Sequence, residues 1–237
     1  MIGVVPAAGT GTRLRPRTEE VPKGLVEVAG APLLAHVFET LRASGVDELV
    51  VVVGYGASAI IERFGDEYDD VPITYVYQRE QLGLGHAISQ AEPSVDGPFV
   101  VLNGDNVVAG ELRGPIERFH RAAVDAVIAV EEVDRETASE TGVVTVEDGR
   151  VIELVEKPDE PPSTLVTTGC YVLPEKIFDA LGLLRPSDRG EYELTDAIDV
   201  FVRAGAVVEA VELGVERVNV NTPADVARAE GLVGDQR

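Results

Sequence analysis

Four consecutive valines, Val50–Val53, sit in the run Leu49–Val53 between Glu48 and Gly54. A strand that is apolar at every position is buried on both faces, and such strands belong to parallel sheets covered by helices. The surrounding chain agrees. Ile2–Val5 and Ile73–Val76 are further short β-branched runs, and helical patterns at Leu33–Ala43 and Ala57–Phe64 separate them from the valine strand. This alternation predicts βαβ units and hence an α/β fold. Phe99–Leu102 predicts another strand and Leu112–Ala122 a helix, after which Ala126–Val130 opens a different texture. Val143–Val146 and Val151–Val155 flank Asp148-Gly149, which is a tight-hairpin signal, so the second half mixes in antiparallel strands. Val166–Leu173 and Val207–Leu213 predict strands and Glu193–Ala204 a helix. No repeat or linker is visible, and Pro158–Pro162 reads as a short surface loop, so residues 1–237 are expected to form one domain.

The 237 residues carry 20 Lys plus Arg against 42 Asp plus Glu, a net charge of −22, on an ordinary globular share of 45% hydrophobic residues. So negative a chain is a poor ligand for nucleic acid or anionic lipid, which require Lys and Arg to neutralise phosphate. Only Lys23, Lys157 and Lys176 are lysines. An acidic, lysine-poor surface suits molar salt, where the Debye length shrinks to about 3 Å, and predicts a halophilic protein. Cys170 is the single cysteine and lies in an apolar run, which predicts a core thiol without an intrachain disulfide. The opening Met1-Ile2-Gly3-Val4-Val5 has no basic leader, and no apolar run approaches the roughly 20 residues of a membrane span. A cytoplasmic protein is expected.

The first connection, Pro6 to Pro16, follows its strand directly. Gly9 and Gly11 permit a tight turn whose N–H groups can face an anion, and Arg13 and Arg15 add charged donors for phosphate. The loop is neither a Walker A sequence nor a dinucleotide fingerprint, since Leu14 stands where a third glycine belongs.

The run Gly9-Thr10-Gly11-Thr12-Arg13-Leu14, followed by Pro22-Lys23-Gly24-Leu25-Val26-Glu27-Val28, resembles the signature of sugar-1-phosphate nucleotidyltransferases of the glucose-1-phosphate uridylyl- and thymidylyltransferase type. The resemblance continues through Gln81–Ala87, Leu102-Asn103-Gly104-Asp105, Glu156-Lys157-Pro158, Thr168-Gly169 and Arg189–Glu193. It is nearest to the short archaeal uridylyltransferases of protein glycosylation. It implies a Rossmann-like, GT-A-like nucleotidyltransferase domain with a mixed, mainly parallel sheet flanked by helices. The left-handed β-helix of bifunctional relatives is expected to be missing.

The implied reaction joins a nucleoside triphosphate to a sugar 1-phosphate and releases pyrophosphate. The attacking phosphate oxygen is already ionised, so alignment and charge neutralisation suffice. No Ser/His/Asp or Cys/His constellation competes with that reading. By resemblance, Arg13 and Lys23 hold the triphosphate and Lys157 grips the sugar phosphate. Ala8, Gly9, Gly11 and Thr12 line the nucleotide, with Gln81 and Gly85 at the base. A Gln amide pairs with the N3–H and O4 edge shared by uracil and thymine, so UTP and dTTP both fit, with UTP favoured by similarity. Gly142, Glu156 and Gly169 fall at sugar positions, the expected acceptor being glucose 1-phosphate. Thr141 replaces a family tyrosine and leaves the hexose open.

Asp105 follows the strand Phe99–Leu102 at its C-terminal end, where a carboxylate suits Mg²⁺. Asn219 stands where thymidylyl relatives carry Asp, and Asn221 is a rival ligand. Arg189–Asp196 reads as an acidic helix entry with a structural role. Two other readings share these residues: a cytidylyl- or guanylyltransferase with another acceptor, and a non-catalytic nucleotide-sugar sensor or assembly subunit. The partners expected are the two small substrates, with a homo-oligomer compatible and neither nucleic acid nor membrane involved.

Overall fold

The computed structural model describes residues 1–15, 17–19, 21–121 and 123–234. Pro16 of the glycine-rich connection and Ala122 of the predicted helix Leu112–Ala122 lie outside the described residues. In chain order the strands begin β1 (Ile2–Pro6), β2 (Glu27–Val28), β3 (Ala31–Pro32), β4 (Glu48–Val53), β5 (Glu67–Tyr68), β6 (Val71–Tyr77) and β7 (Phe99–Leu102). They continue as β8 (Asn106–Val108), β9 (Ala126–Glu132), β10 (Gly142–Glu147), β11 (Arg150–Glu156), β12 (Leu165–Leu173), β13 (Val208–Glu212) and β14 (Arg217–Asn219). The helices are α1 (Leu33–Ala43), α2 (Ala57–Phe64), α3 (Leu84–Ser89), α4 (Arg113–Arg121), α5 (Arg135–Ala138), α6 (Ile177–Leu183), α7 (Leu194–Arg203) and α8 (Pro223–Gly234). The chain forms two compact units: Met1–Gln81 with Leu102–Leu112 and Val215–Arg237, and Leu82–Val101 with Arg113–Gly214.

In the first unit β4 is the central parallel strand, Val50 opposite Val4 of β1 and Thr74 of β6. All five residues from Leu49 to Val53 are fully buried, as the valine run requires. Helix α1 buries Leu33, Leu34, Val37, Phe38 and Leu41, one face at helical spacing. It closes with Gly45 at φ 86° and a Val46 N–H to Leu41 C=O bond of 3.1 Å, a Schellman-type ending.

The second unit has the strand order β10-β11-β13-β9-β12-β7. β13 runs parallel to β9, while β12 runs antiparallel to it. The predicted hairpin is β10–β11, with Asp148 at φ 50° and Gly149 at φ 79°. Two positive φ values in a two-residue loop are what a type I′ turn needs. Cys170 is buried in β12.

Several elements are too short to show an apolar period. Among these, β8 and β14 pair antiparallel, Asn106 opposite Asn219 and Val108 opposite Arg217. They matter because a satellite core holds them: Leu14, Val26, Val28, Leu33, Val107, Val218, Val220, Val226 and Ala229 form one cluster. Leu14 belongs to the glycine-rich connection and is fully buried. Leu14→Ala should cost about 2–5 kcal/mol, the range for emptying a buried leucine site. Urea unfolding in high salt measures it, and a loss below about 0.5 kcal/mol, the scale of an ordinary surface change, would show that Leu14 does not anchor the loop.

Candidate functional site

Residues far apart in sequence meet at the end of β1 in the first unit. Gly11, at φ 62°, starts a single 3-10 turn over Thr12–Leu14, and its carbonyl accepts the Thr18 hydroxyl at 2.7 Å. Thr12 and Arg13 are thereby exposed while Leu14 points into the core. Gly9 is exposed and a methyl group there would meet no atom within 4 Å, so the loop is open where phosphate could lie. Ala8 is buried, and its carbonyl accepts from the Tyr55 N–H at 3.3 Å and the Gln81 amide at 2.9 Å. That bond ties Gln81 to the glycine-rich loop and uses one of its two N–H donors.

Lys23 donates to Asp105 Oδ2 at 2.7 Å and to Asn221 Oδ1 at 2.9 Å. Arg13 donates to the same Asn221 oxygen at 3.1 Å, and the Asn221 amide nitrogen donates to Asn219 Oδ1 at 2.9 Å. All five polar residues are thus one hydrogen-bonded set. Its backbone is fixed from both sides: Val220 N–H donates to the Asp105 carbonyl at 2.8 Å, and Asn221 N–H to the Asp225 carboxylate at 3.1 Å. Gly104 must lack a side chain, since a methyl group would come within 2.7 Å of the Pro6 carbonyl.

The donor chemistry here fits Mg²⁺. One carboxylate just before β8 and one amide oxygen on its partner strand β14 leave most of an octahedral shell for water and phosphate, the usual Mg²⁺ arrangement. Among the described residues, no group of three or more His, Cys, Asp or Glu side chains could hold a metal by itself. Asn221 Oδ1 already faces two cations, whereas Asn219 Oδ1 faces a neutral amide, which favours Asn219 as the ligand.

The second unit holds a cleft of about 500 Å³ lined by Glu156, Lys157, Arg189, Glu193 and Asp196 among others. Glu156 ends β11 opposite Gly142, and a methyl group on Gly142 would lie 3.0 Å from Glu156 Oε2 and 2.7 Å from Thr195 Cγ2. The glycine makes room for the carboxylate, which accepts the Thr195 hydroxyl at 3.1 Å. Lys157 adopts φ 46°, a left-handed conformation that costs roughly 1–2 kcal/mol outside glycine, and its N–H donates to Thr141 C=O at 3.0 Å. Its ammonium is 3.6 Å from Glu156 Oε1.

Arg189 donates to Glu193 at 2.8 Å and lines the same cleft. The acidic helix entry therefore also supplies a cation to this cleft, which no local pattern disclosed. Gly169 lies elsewhere, buried at φ 77° where β12 shifts register against β9. Gly85 is buried against a backbone: its N–H donates to Tyr192 C=O at 2.7 Å, and a methyl group there would collide with that oxygen. Tyr171 is a core strand residue and Lys176 is exposed.

Residues 2–215 match the nucleotidyl transferase family. The chain is 47% identical over 231 residues to the UTP–glucose-1-phosphate uridylyltransferase AglF of Haloferax volcanii, covering 97% of this chain and 95% of AglF. It is 35% identical to a glucose-1-phosphate thymidylyltransferase of Streptomyces griseus, over 89% of this chain and 59% of that protein. A crystal structure of UDP-glucose pyrophosphorylase complexed with UDP-glucose aligns at TM-score 0.90 and 25% identity, over 100% of this chain and 99% of that one. The chain belongs to the nucleotidyl transferase family and is an α/β nucleotidyltransferase. Its acidic, lysine-poor composition accords with its likeness to a Haloferax enzyme, and none of its described helices is long and apolar enough to cross a membrane.

Burial pushes the Glu156 carboxyl above its ordinary value, with Lys157 opposing the shift and Glu193 adding to it. A raised native pKa stabilises the fold fully below the unfolded value of about 4.5, and that contribution is lost as pH rises through the native pKa. Glu156→Gln removes the loss. The melting temperature of the variant minus that of the wild type should therefore grow as pH rises from about 4.5 towards about 7. A difference independent of pH would show that Glu156 does not titrate against its burial.

Proposed function

We propose that this protein transfers the uridylyl group of UTP to glucose 1-phosphate, giving UDP-glucose and pyrophosphate, with dTTP as the alternative donor. The observation that carries the reading is the set Arg13, Lys23, Asp105, Asn219 and Asn221, which gathers cations and metal-type oxygens beside an open glycine-rich turn. The 47% identity to a uridylyltransferase that bears the same substrates in its name supports it.

In this reading the first unit binds the triphosphate. The glycine-rich turn with Ala8, Gly9, Gly11 and Thr12 receives the phosphates, and Arg13 and Lys23 neutralise the charge that grows on pyrophosphate as it leaves. Gln81, held by Ala8, offers its remaining donor and its acceptor to the base. Gly85, in the second unit, lets its own segment close on Tyr192. Asp105 and Asn219 would hold Mg²⁺, which when bound supplies charge neutralisation at the phosphates.

The second unit binds the sugar phosphate. Lys157 and Arg189 give its phosphate two cations in one cleft, and Glu156, with room made by Gly142, accepts hydroxyls of the hexose. Gly169 sits at the register shift of β12 and is given no contact with the sugar. The phosphate oxygen attacks the α-phosphorus as pyrophosphate departs on the opposite side. No side chain has to take a proton, because the attacking oxygen is already an anion.

Pyrophosphate release in high KCl with Mg²⁺ tests this, crossing UTP, dTTP, CTP, GTP and ATP with the 1-phosphates of glucose, galactose and N-acetylglucosamine. Turnover should be greatest with UTP and glucose 1-phosphate. Silence across the grid, with UDP-glucose still raising the melting temperature, would mark a nucleotide-sugar sensor. Turnover confined to CTP or GTP would overturn the base assignment. Asp105→Ala should lower kcat by about 10²-fold or more, the scale of losing one preorganised charge contact, while leaving the circular dichroism unchanged. Near-normal turnover in that variant would remove Asp105 from the metal site.

A further inference from the structure

Lys23 makes its shortest contact with the group that would bind the metal. Its ammonium lies 2.7 Å from Asp105 Oδ2, with the two side chains only 16% and 24% exposed. Asn221 holds the ammonium from a second direction at 2.9 Å, and the same oxygen takes Arg13 at 3.1 Å. The carboxylate therefore already has a cation. A divalent ion entering at Asp105 would meet the Lys23 ammonium at contact distance, where a partly buried like-charge repulsion is strong. Molar salt weakens this little, because its Debye length of about 3 Å is no shorter than the contact.

The triphosphate alters the balance. It brings several negative charges to the glycine-rich turn beside Lys23, and a methyl group at Gly11 would fall 2.9 Å from Lys23 Cβ, so the lysine stem runs along that turn. Resting on the reading of this site as the triphosphate site, we propose that Lys23 is an exchangeable counter-ion. In the free protein it occupies the metal's place on Asp105, and on nucleotide binding it passes to the phosphates and frees the carboxylate. Metal affinity in the absence of nucleotide is thus suppressed by the protein's own lysine. The two ligands are coupled through a single side chain, and each favours the other by the same factor.

The test is Mn²⁺ binding to nucleotide-free protein, followed by the electron paramagnetic resonance signal of free Mn²⁺. Lys23→Met should bind one Mn²⁺ at least about tenfold more tightly than the wild type, a modest fraction of the repulsion removed. Adding Asp105→Asn to that variant should erase the gain, which separates this site from diffuse binding to an acidic surface. If Lys23→Met does not fold, Lys23→Gln keeps a hydrogen-bond donor without the charge and should show the same gain. Unchanged or weaker Mn²⁺ binding would overturn the exchange, as would a gain that survives Asp105→Asn. Turnover in the substrate grid without this gain would sink the exchange alone; the gain without turnover would keep the exchange and sink the assigned reaction.

Discussion

The first unit's chemistry depends on one apolar contact set more than on any polar bond. Leu14, Val107, Val218 and Val220 belong to segments separated by about a hundred residues each, and they share one buried cluster. Four of the five polar residues of the site assigned to the triphosphate are near neighbours of one of them in sequence: Arg13 beside Leu14, Asp105 two residues before Val107, Asn219 and Asn221 on either side of Val220. Burying the apolar member of each pair directs the polar member outward. The cluster thereby sets the positions of charges that would otherwise sit on mobile loops, and such preorganisation is what catalysis by electrostatics requires.

A net charge of −22 is an obstacle for an enzyme whose proposed substrates are both polyanions. The chain meets it locally. Lys23 and Lys157, two of its only three lysines, lie at the two places where phosphate is assigned, and Arg13 and Arg189 stand beside them. Carboxylates accompany three of these cations, Asp105 with Lys23, Glu156 with Lys157 and Glu193 with Arg189, while Arg13 is held by the Asn221 amide oxygen. In the free protein these pairs hold the cations in place.

Much of the fold was legible because burial leaves a period. The valine strand, the amphipathic α1 and the Asp148-Gly149 turn each obey a local rule that the sequence displays. The pairing of β8 with β14 was not legible, since three-residue strands with asparagines at a matched position carry no period and derive their stability from a cluster that also draws on segments distant in sequence. The choice between Asn219 and Asn221 was open in the sequence for the same reason, and it turns on which amide oxygen faces Lys23 and Arg13. Arg189 reads as a structural helix entry, and its bond to Glu193 agrees, yet its place in the cleft with Lys157 comes from tertiary packing alone. Gly85 looks like a base contact by motif, whereas its observed constraint is the Tyr192 carbonyl.

In the proposed reaction the protein aligns two phosphates and forms no covalent bond to either. Isotope exchange tests this directly. Labelled pyrophosphate incubated with the enzyme, UTP and Mg²⁺ should enter UTP only when glucose 1-phosphate or UDP-glucose is also present. Exchange without either sugar compound would demand a nucleotidyl-enzyme intermediate, and with it a protein nucleophile that this account does not contain.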